Sequence, residues 1–556
     1  MKLSKKEDIF TIREEPFGFT FYNHQNLTHH FFKKNELNSF LEEQHIKKYT
    51  FLPAKRKDYR DDIIYSPIRI YYEVTLSCNL HCRFCFNDSG KLRPSELTTQ
   101  EILISLEKLR EDNVLDVKFT GGELICRPDW YEILKKAKEL GFATSVNTNG
   151  CFNTETAEKL VSLNLEQITI SLDGIKEHHE ENRGTGSFDK TMTSLKKLHD
   201  LGATLRINTL LSRLTLNDLE PFLEKHSQYI TEINFFPIRF IGRGVNLESK
   251  YSITMDDFYQ FNKRAEVLKK KYPNLNLMTF AKANRRTSIN QKENKELGLK
   301  IGTTSGITTF NVASDGGFWA GGYLPYIDEY LEMGNIKTDL IFEVWQKSRK
   351  LEALRNQAKL LKEFCYSCPE NGNKCPGSVF ELELYRQLNP KTKNYYCVHG
   401  TRKPLLDKVV KKLPYRDNVV ALVVKDNKYL LVQLQEWPEN LWKLPQGGLD
   451  KGEKKEDGIF RELKEELGTD KFEIIKKFPF KHQYDWDKNG QRLAGFKWRG
   501  QKQTFFLVKF LGGNIVPDTN EIKNVCWVGK EKLLKKVNIK HPLVKGYKKI
   551  IEKMFI

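Results

Sequence analysis

The stretch IRIYYEVTLSCNLHCRFCF, residues 68–86, joins an apolar β-rich run directly to three cysteines. Five more apolar runs follow and alternate with amphipathic helical stretches, at 114–123, 143–150, 166–174, 203–211 and 230–240. Strands and helices that alternate in this way form parallel sheets covered by helices. We therefore predict an α/β fold built on a partial (β/α)6 TIM-type barrel. Its chemistry should lie at the carboxyl ends of the strands, where the cysteines are.

The chain has 556 residues, which is too long for one hydrophobic core, so we expect several domains. FGFTFY and NELNSFLEEQ predict a strand and a helix before the barrel. The expected segments are an N-terminal appendage (1–60), the barrel (61–250), a helical linker (251–305), a small Cys-rich extension (306–400), a basic linker (401–416) and a separate α/β/α domain (417–556).

Hydrophobic residues make up 39% of the chain and charged residues 29%, as in globular proteins. No apolar run is long enough for a signal peptide or a membrane span, so we expect a cytoplasmic protein with no membrane partner. The net charge is +19. From residue 401 onward, 34 Lys and Arg face 20 Asp and Glu, an excess of 14. This excess fits a polyanionic partner such as RNA, or simply a Lys-rich solvated surface.

Cys78, Cys82 and Cys85 follow the first strand at a spacing that places three thiols on one loop. Three thiolates can hold three irons of a cubane and leave the fourth iron open. Zinc is the alternative, with His81 as a fourth ligand.

Together with Phe84 and the Gly121-Gly122-Glu123 run after the second strand, this loop resembles the radical S-adenosylmethionine (radical SAM) enzymes over residues 68–243. The resemblance implies a [4Fe–4S] cluster with SAM bound to its open iron. It also implies an electron donor such as ferredoxin or flavodoxin, reductive SAM cleavage to a 5′-deoxyadenosyl radical, and hydrogen abstraction from a substrate.

The same resemblance implies which residues hold SAM. The Gly-Gly-Glu run would bind the SAM amine, and Arg183 would pair with the SAM carboxylate. Polar residues at later strand ends would meet the ribose or methionine. The full set of implied SAM-binding residues is Phe84, Gly121, Gly122, Glu123, Asn149, Ser171, Asp173 and Arg183.

A second cysteine group, Cys365, Cys368, Cys375 and Cys397, supplies four thiolates for zinc or for a second [4Fe–4S] cluster. The surrounding sequence resembles the SPASM extension of radical SAM enzymes that modify peptides. Residues 302–306 and 320–322 and Val379 stand where further cysteines would be, so the resemblance implies one auxiliary cluster. It also implies a peptide or protein substrate.

The C-terminal domain contains Gly447-x5-Glu453-x7-Arg461-Glu462-Leu463-x-Glu465-Glu466-x-Gly468. On a helix this spacing places Glu462, Glu465 and Glu466 on one face, where hard oxygen ligands suit Mg²⁺ or Mn²⁺. A bound cation would neutralise a pyrophosphate and activate water. We expect Arg461 to pair with Glu453. The pattern resembles the Nudix box, which assigns the three glutamates to catalysis and Gly447 to the metal site.

WKLPQGG (442–448) and the strands after the box resemble bacterial diadenosine tetraphosphate hydrolases and RNA 5′-pyrophosphohydrolases. Glu521 then matches a fourth carboxylate ligand, and the implied partner is a nucleotide or an RNA 5′ end. Two alternatives stay open at this point. Both domains could act in nucleotide or RNA modification, or the Nudix domain could be a nucleotide-binding regulatory module.

Overall fold

The computed structural model describes residues 9–279, 296–299, 304–326, 331–368, 406–435, 438–537 and 547–555. These residues belong to two compact units, 1–407 and 408–556, each described by itself below.

The first unit begins with a small sheet in the strand order β3-β2-β1-β4. Its elements are β1 (Phe10–Glu15), β2 (Gly18–Asn23), β3 (Thr28–Lys33), α1 (Leu37–Glu43) and β4 (Thr50–Leu52). Ile12 and Phe21 of the sheet pack against Leu37 and Leu41 of α1, so this segment has an apolar core of its own. The expected strand and helix of the appendage are both present.

Arg13 in β1 connects this sheet to the barrel and is completely buried. Its guanidinium donates hydrogen bonds to the Ser66 carbonyl at 2.9 Å, the Pro67 carbonyl at 3.1 Å and the Asn113 carbonyl at 3.0 Å. Glu15 balances the charge, since its carboxylate accepts from Arg13 Nε at 2.8 Å. A buried arginine with these partners fixes the sheet to the base of the barrel.

The six predicted barrel strands are all present, and each is parallel to the next in chain order. They are β5 (Arg69–Glu73), β6 (Asp116–Thr120), β7 (Ala143–Thr148), β8 (Gln167–Ser171), β9 (Leu205–Leu211) and β10 (Glu232–Pro237). The helices of this region are α2 (Thr99–Glu111), α3 (Trp130–Glu139), α4 (Thr154–Ser162), α5 (Lys176–Arg183), α6 (Ser187–Asp200), α7 (Leu219–His226), α8 (Glu248–Tyr251) and α9 (Met255–Lys271). The partial barrel fold is confirmed.

Local sequence explains where these helices begin. Thr98 precedes α2, and its side chain accepts from the Glu101 backbone N–H while the Glu101 carboxylate accepts from the Thr98 N–H at 2.8 Å. Thr254 and Asp257 form the same reciprocal pair before α9. Such capping boxes satisfy backbone donors that the first helical turn leaves without partners.

The barrel sheet extends beyond the six expected strands. Along its path in the described residues the order is β11-β10-β9-β8-β7-β6-β5-β12-β13. The added strands are β11 (Asn276–Thr279), β12 (Thr309–Val312) and β13 (Phe318–Trp319), followed by α10 (Ile341–Lys347) and α11 (Arg349–Tyr366). β11 continues the parallel set beside β10, and β12 lies parallel to β5. The segments expected as linker and extension therefore complete the barrel sheet at its two edges.

The second unit is the predicted α/β/α sandwich. Its sheet has the order β17-β18-β14-β15-β19, with β16 paired to β14. The elements are β14 (Tyr415–Lys425), β15 (Lys428–Leu434), β16 (Gln446–Gly448), α13 (Lys455–Leu467), β17 (Phe472–Asp485), α14 (Lys488–Leu493), β18 (Gly500–Phe510), β19 (Ile522–Val528), α15 (Lys530–Lys536) and α16 (Tyr547–Met554), with α12 (Leu406–Val409) at the boundary between the units.

Alternate residues of β14 face opposite sides of this sheet, and both sides are buried. Val419 packs with Ile459 and Leu463 of α13. Val420 packs on the other side with Leu533 of α15 and Ile551 of α16. Helices thus cover both faces, which explains the unbroken apolar run of this strand. Five short 3₁₀ turns complete the described structure, at Leu124–Cys126, Ser227–Tyr229, Gly242–Gly244, Leu324–Tyr326 and Val410–Lys412. No helix in the described residues is long and apolar enough to cross a membrane.

Candidate active sites

The cysteine loop after β5 opens onto a cavity of about 570 Å³ at the carboxyl ends of the barrel strands. This is where the barrel fold predicts chemistry. The cavity brings together ten of the residues singled out from the sequence: Cys78, Cys82, Phe84, Cys85, Gly121, Gly122, Glu123, Asn149, Ser171 and Arg183. Residues from five separate stretches of the chain therefore meet at one site, and its volume suits a cofactor-sized ligand.

Gly121 and Gly122 allow the end of β6 to pass against the backbone that leads into the cysteine loop. The Gly122 N–H donates to the Thr75 carbonyl at 2.7 Å. A Cβ at Gly121 would overlap the Thr75 carbonyl oxygen, and one at Gly122 would overlap that of Ser77. Because backbone lies in the space of each missing side chain, only glycine fits at these two positions.

Glu123 is buried, with its carboxylate fixed at the end of β7. It accepts hydrogen bonds from the Thr148 hydroxyl at 2.8 Å and the Asn149 backbone N–H at 2.6 Å. Burial raises its pKa to about 7. The Asn149 side chain in turn donates to the Asn79 side-chain oxygen at 2.7 Å, inside the cysteine loop. The Gly-Gly-Glu run, the end of β7 and the cysteine loop are thus directly connected.

Arg183 and Asp173 form a buried pair beside the cavity. Arg183 Nε donates to Asp173 Oδ2 at 2.7 Å, and the Asn182 side chain donates to the same oxygen at 2.6 Å. The Leu210 N–H donates to the other oxygen at 3.0 Å. Arg183 lines the cavity, but Asp173 does not. Asp173 thus holds Arg183 beside the cavity, and the ribose or methionine contact implied by the resemblance stays a prediction.

Other side chains support the cysteine loop from behind. Arg243, in the turn after β10, donates to the Cys82 carbonyl at 2.8 Å and the Ser89 carbonyl at 2.7 Å. Phe84 is buried, and its ring meets that of Tyr251 edge-on at 5.0 Å. The Asn87 side-chain oxygen lies 2.9 Å from Cys85 Sγ. These contacts fix the loop that holds the three thiols.

The cysteine loop fits a cluster with an open position. Cys78, Cys82 and Cys85 all face the cavity, whereas His81 is exposed and does not line it. Burial raises the pKa of Cys78 to about 12, so a bound cation is needed to hold its thiolate. In the described residues no three His, Cys, Asp or Glu side chains already surround one metal position. This holds for the three thiols as well, so iron–sulfur and zinc on this loop both stay predictions from the sequence at this point.

The second cysteine group is only partly described. Cys365 falls within α11 and Cys368 follows that helix, half-buried. Cys375 and Cys397 lie outside the described residues. The ligand set of the auxiliary site stays a prediction from the sequence.

The sequence analysis missed the wall that the extension adds to the cavity. Tyr326 donates its hydroxyl to the Glu73 carboxylate, with oxygen distances of 3.2 and 3.1 Å. The Asn87 amide donates to the same carboxylate at 3.1 Å. Tyr323, just before this turn, lines the cavity, as does Arg239. Glu73 stands at the end of β5, the first barrel strand. A polar residue at that strand end was the feature of the sequence that could have indicated this wall.

In the second unit, Glu462 of α13 lies against Gly447 of β16. A Cβ at Gly447 would coincide with the Glu462 carboxyl group, so the close approach of helix and loop requires glycine. Burial raises the pKa of Glu462. The Glu462 carboxylate thus lies directly against the backbone of β16 at Gly447.

Glu466 is the deepest of the three glutamates. It accepts from Lys443 Nζ at 2.8 Å and from the Gln446 N–H at 3.1 Å. Burial raises its pKa, and the charge of nearby Glu521 raises it further. Glu521 itself is exposed. Glu521, the fourth carboxylate expected from outside the box, is therefore close enough for its charge to affect the pKa of Glu466.

Arg461 organises the remaining carboxylates. It makes a two-pronged contact with Glu453, at 2.8 and 2.9 Å, as expected from the sequence. Its Nη1 also lies 3.0 Å from Glu462 and 3.0 Å from Glu465. Gly468 ends α13 with φ +67°, which suits glycine. The carboxylate set and its supports thus fit a hard divalent cation.

Beside this carboxylate site lies a buried polar network that the sequence analysis also missed. The Gln446 side-chain oxygen accepts from Gln503 at 3.0 Å and from the Tyr547 hydroxyl at 2.9 Å. Tyr547 belongs to α16, far along the chain from the box, so only the fold could reveal this contact.

Comparison with known proteins supports both assignments. Residues 72–225 match the family model described as the radical SAM superfamily, and residues 414–553 match the NUDIX domain. The mycofactocin maturase MftC of Mycobacterium tuberculosis is 32% identical over 198 residues, 35% of this chain and 51% of that protein. The chain thus spans about half the length of this relative. The AdoMet-dependent heme synthase of Methanosarcina barkeri is 26% identical over 349 residues, 59% of this chain and 98% of that protein.

The C-terminal region is similar to the RNA pyrophosphohydrolase of Nitratiruptor sp., at 41% identity over 105 residues, 18% of this chain and 66% of that protein. The crystal structure of Streptococcus suis SuiB bound to precursor peptide SuiA superposes with a TM-score of 0.53. It covers 72% of this chain and 99% of that chain at 17% identity, which shows a shared fold. The chain therefore contains a radical SAM domain and a separate NUDIX domain.

Proposed function

We propose that the first unit is a radical SAM enzyme that modifies a peptide. The observation that carries this proposal is the 570 Å³ cavity in which the cysteine loop, the Gly-Gly-Glu run and Arg183 meet. A [4Fe–4S] cluster held by Cys78, Cys82 and Cys85 would supply an electron for reductive SAM cleavage, and the resulting 5′-deoxyadenosyl radical would abstract hydrogen from the substrate. MftC is named a maturase and SuiB was solved with a precursor peptide, which supports a peptide substrate.

The protein's own groups bind and orient the reactants. Glu123 offers a buried carboxylate to the SAM ammonium. Arg183, held by Asp173, offers its terminal N–H groups to the SAM carboxylate. Arg243 and Asn87 keep the cysteine loop in place. The proposal also includes one auxiliary [4Fe–4S] cluster on Cys365, Cys368, Cys375 and Cys397, and ferredoxin or flavodoxin as electron donor.

SAM cleavage tests this proposal directly. Anaerobically reconstituted protein with dithionite should convert SAM into 5′-deoxyadenosine, and the Cys78→Ala/Cys82→Ala/Cys85→Ala variant should not. Cys526→Ala is a matched control, because that cysteine lies in β19 of the other unit. Undiminished 5′-deoxyadenosine in the triple variant would overturn the assignment.

We propose that the second unit hydrolyses a pyrophosphate bond in a nucleotide or at an RNA 5′ end. The contact between Glu462 and Gly447 carries this proposal, since it builds an oxygen-rich site beside buried Glu466. Mg²⁺ or Mn²⁺ there would neutralise the phosphates and activate water. The similarity to an RNA pyrophosphohydrolase supports a 5′-phosphorylated RNA as substrate.

Hydrolysis of 5′-triphosphorylated RNA and of diadenosine tetraphosphate, each with Mg²⁺, tests the second activity. Glu466→Gln should lose about a hundredfold or more of the rate, because a metal ligand is removed. Glu473→Gln, at an exposed position of β17, is the control. Wild-type rates in both Glu465→Gln and Glu466→Gln would contradict this mechanism. A nucleotide that binds but is never cleaved would favour the regulatory alternative.

A second candidate for the first unit is modification of a nucleotide, an RNA or a cofactor-sized molecule. The heme synthase match favours a cofactor-sized molecule among these, since that match covers nearly the whole relative. The two candidates differ in which substrate loses the hydrogen atom that 5′-deoxyadenosine acquires. 5′-Deoxyadenosine that acquires deuterium from a labelled peptide supports the first, and transfer from a labelled nucleotide supports the second.

A further inference from the structure

Three arginines line the cavity, and two of them already have partners. Arg183 is paired with Asp173 at 2.7 Å. Arg243 donates to backbone carbonyls of the cysteine loop and to Asp88 at 2.9 Å. The third, Arg239, follows the end of β10 and differs from both. Within the described residues its guanidinium has no hydrogen bond and no ion pair, and it lies over the ring of Tyr323.

The contact with Tyr323 positions Arg239 without using its donors. The guanidinium carbon lies 3.9 Å from the centre of the Tyr323 ring. Stacking on an aromatic face holds a guanidinium in one plane and leaves its N–H groups free at the edge. Tyr323 therefore presents five donors of Arg239 for a ligand in the cavity.

Arg239 is also close to the reaction site. The Tyr323 ring packs against Phe86, with 4.6 Å between the ring centres, and Phe86 directly follows Cys85. A group bound by Arg239 would thus be linked to the cysteine loop through the rings of Tyr323 and Phe86.

The charged neighbours in the cavity do not neutralise Arg239. Glu73 already accepts from Tyr326 and Asn87. Glu123 accepts from Thr148 and the Asn149 N–H. A guanidinium half-removed from water without a counter-charge favours a planar anion, which it binds with two parallel hydrogen bonds. Among the residues that the structure describes, no carboxylate pairs with Arg239, which leaves its donors for a carboxylate brought by a ligand.

We propose that Arg239 recognises a carboxylate of the substrate, so that the peptide is anchored through an acidic side chain or its own C-terminus. This inference rests on the proposed peptide-modifying function and names the chemical class of its substrate. SAM also has a carboxylate, for which Arg183 is the proposed partner. The two carboxylates are thus assigned to two different arginines.

Three short peptides differ only in their carboxylates and serve as probes. Acetyl-Gly-Glu-amide has a side-chain carboxylate, acetyl-Gly-Gln has a terminal one, and acetyl-Gly-Gln-amide has neither. Binding is measured by calorimetry on the anaerobic, cluster-loaded full chain with saturating SAM. At least one carboxylate peptide should bind ten times more tightly than the neutral peptide, and the preferred one identifies the source of the carboxylate.

Variants then locate the contact. Arg239→Gln should reduce the affinity for the carboxylate peptide to that for the neutral one, and Arg239→Lys should restore part of the difference. Arg213→Gln, at an exposed arginine after β9, should change nothing. The wild-type peptide comparison stands even if one variant fails to fold.

Three results would overturn the proposal. They are equal binding of all three peptides, including no binding, unchanged preference in Arg239→Gln, and carboxylate binding that disappears once SAM is present. The last result would make the SAM carboxylate the partner of Arg239. Failure of the proposed function is seen separately, as absence of 5′-deoxyadenosine formation, and does not affect the binding result.

Discussion

Arg183 Nε lies 2.7 Å from Asp173 Oδ2, and both side chains are almost completely buried. One oxygen of Asp173 is used by Arg183 and Asn182, and the other by the Leu210 N–H. Three donors therefore hold the Asp173 carboxylate, and we expect its effect on SAM to pass through the arginine that it holds.

Asp173→Asn should raise the KM for SAM about tenfold or more with a smaller change in kcat. The substitution removes a charged partner of Arg183, and hydrogen bonds to charged groups contribute roughly 1.5–3 kcal/mol. Steady-state 5′-deoxyadenosine formation measures both constants. Asp200→Asn, at the exposed last residue of α6, is the control. A loss in kcat alone would argue that Asp173 contacts the reacting groups.

Gly447→Ala should abolish hydrolysis by the second unit, because the added Cβ takes the place of the Glu462 carboxyl group. Gly529→Ala is a matched substitution in the same unit, where a Cβ meets nothing within 4 Å. The hydrolysis rates of both variants with Mg²⁺ test this prediction, and circular dichroism shows whether both variants are folded. Equal activity of the two variants would mean that Glu462 does not need its present position.

Two [4Fe–4S] clusters imply about eight irons per chain, and about four should remain in the Cys78/Cys82/Cys85 triple variant. The count follows from three thiols in the first group and four in the second. Metal analysis of anaerobically purified protein tests it. About four irons with one zinc in the wild type would assign zinc to the second group, and about twelve irons would refute a single auxiliary cluster.

SAM binding should strengthen between pH 6 and pH 8. Burial raises the pKa of Glu123 to about 7, so this carboxyl is largely neutral below that pH and anionic above it. Only the anion attracts the SAM ammonium, so affinity should rise by up to tenfold per pH unit below pH 7 and then level off. Equilibrium binding at pH 6, 7 and 8 measures this, with Glu123→Gln expected to show weak, pH-independent binding. A flat wild-type profile would contradict it.

Lysines gather where α13 begins. Burial lowers the pKa of Lys455, and the charges of Lys481, Lys477 and Lys502 lower it further. Lys477 is paired with Glu456 at 2.6 Å, but Lys481 is exposed and near this cluster. If these charges contact RNA, affinity of the metal-free protein for a 5′-triphosphorylated oligonucleotide should fall steeply between about 50 and 200 mM salt.

Lys481→Gln should then make the log–log salt slope shallower by about 0.7, the value for one phosphate contact on a single strand. Lys535→Gln, on α15 across the sheet, should leave the slope unchanged. A slope near zero in the wild type, or an oligonucleotide that binds no better than a nucleoside triphosphate, would favour a small nucleotide as the partner. Arg499 is already paired with Asp485 at 2.8 Å and is less suited to such a contact.

The sequence predicted the barrel strands well because each combines β-rich apolar residues with a clear boundary. It did not predict β12 or β13, which have four and two residues. Strands so short have no readable period, and their place beside β5 depends on contacts distant in the chain. The same holds for Arg239 and Tyr323, whose pairing joins the end of β10 to the extension.

Local motifs predicted the residues of the site more completely than the residues that hold them in place. The cysteines, the Gly-Gly-Glu run and the glutamates of α13 lie together as the motifs imply. The position of Asp173 was readable, but its partner was not, because a carboxylate at a strand end looks the same whether it faces a ligand or an arginine. Lys443 donates to Glu466, but a lysine that contacts a buried carboxylate looks in the sequence like any exposed lysine, so this contact was not predicted.

Arg13 determines how this chain can be divided. A chain that starts at residue 61 would lose the donor for the Ser66, Pro67 and Asn113 carbonyls, at a cost of roughly 1–3 kcal/mol for each unsatisfied group. The second unit, in contrast, has its own cores on both faces of its sheet. Module exchange, in evolution or in the laboratory, is therefore easier at residue 407 than at residue 60. The small N-terminal sheet is therefore structurally part of the barrel and is best kept with it.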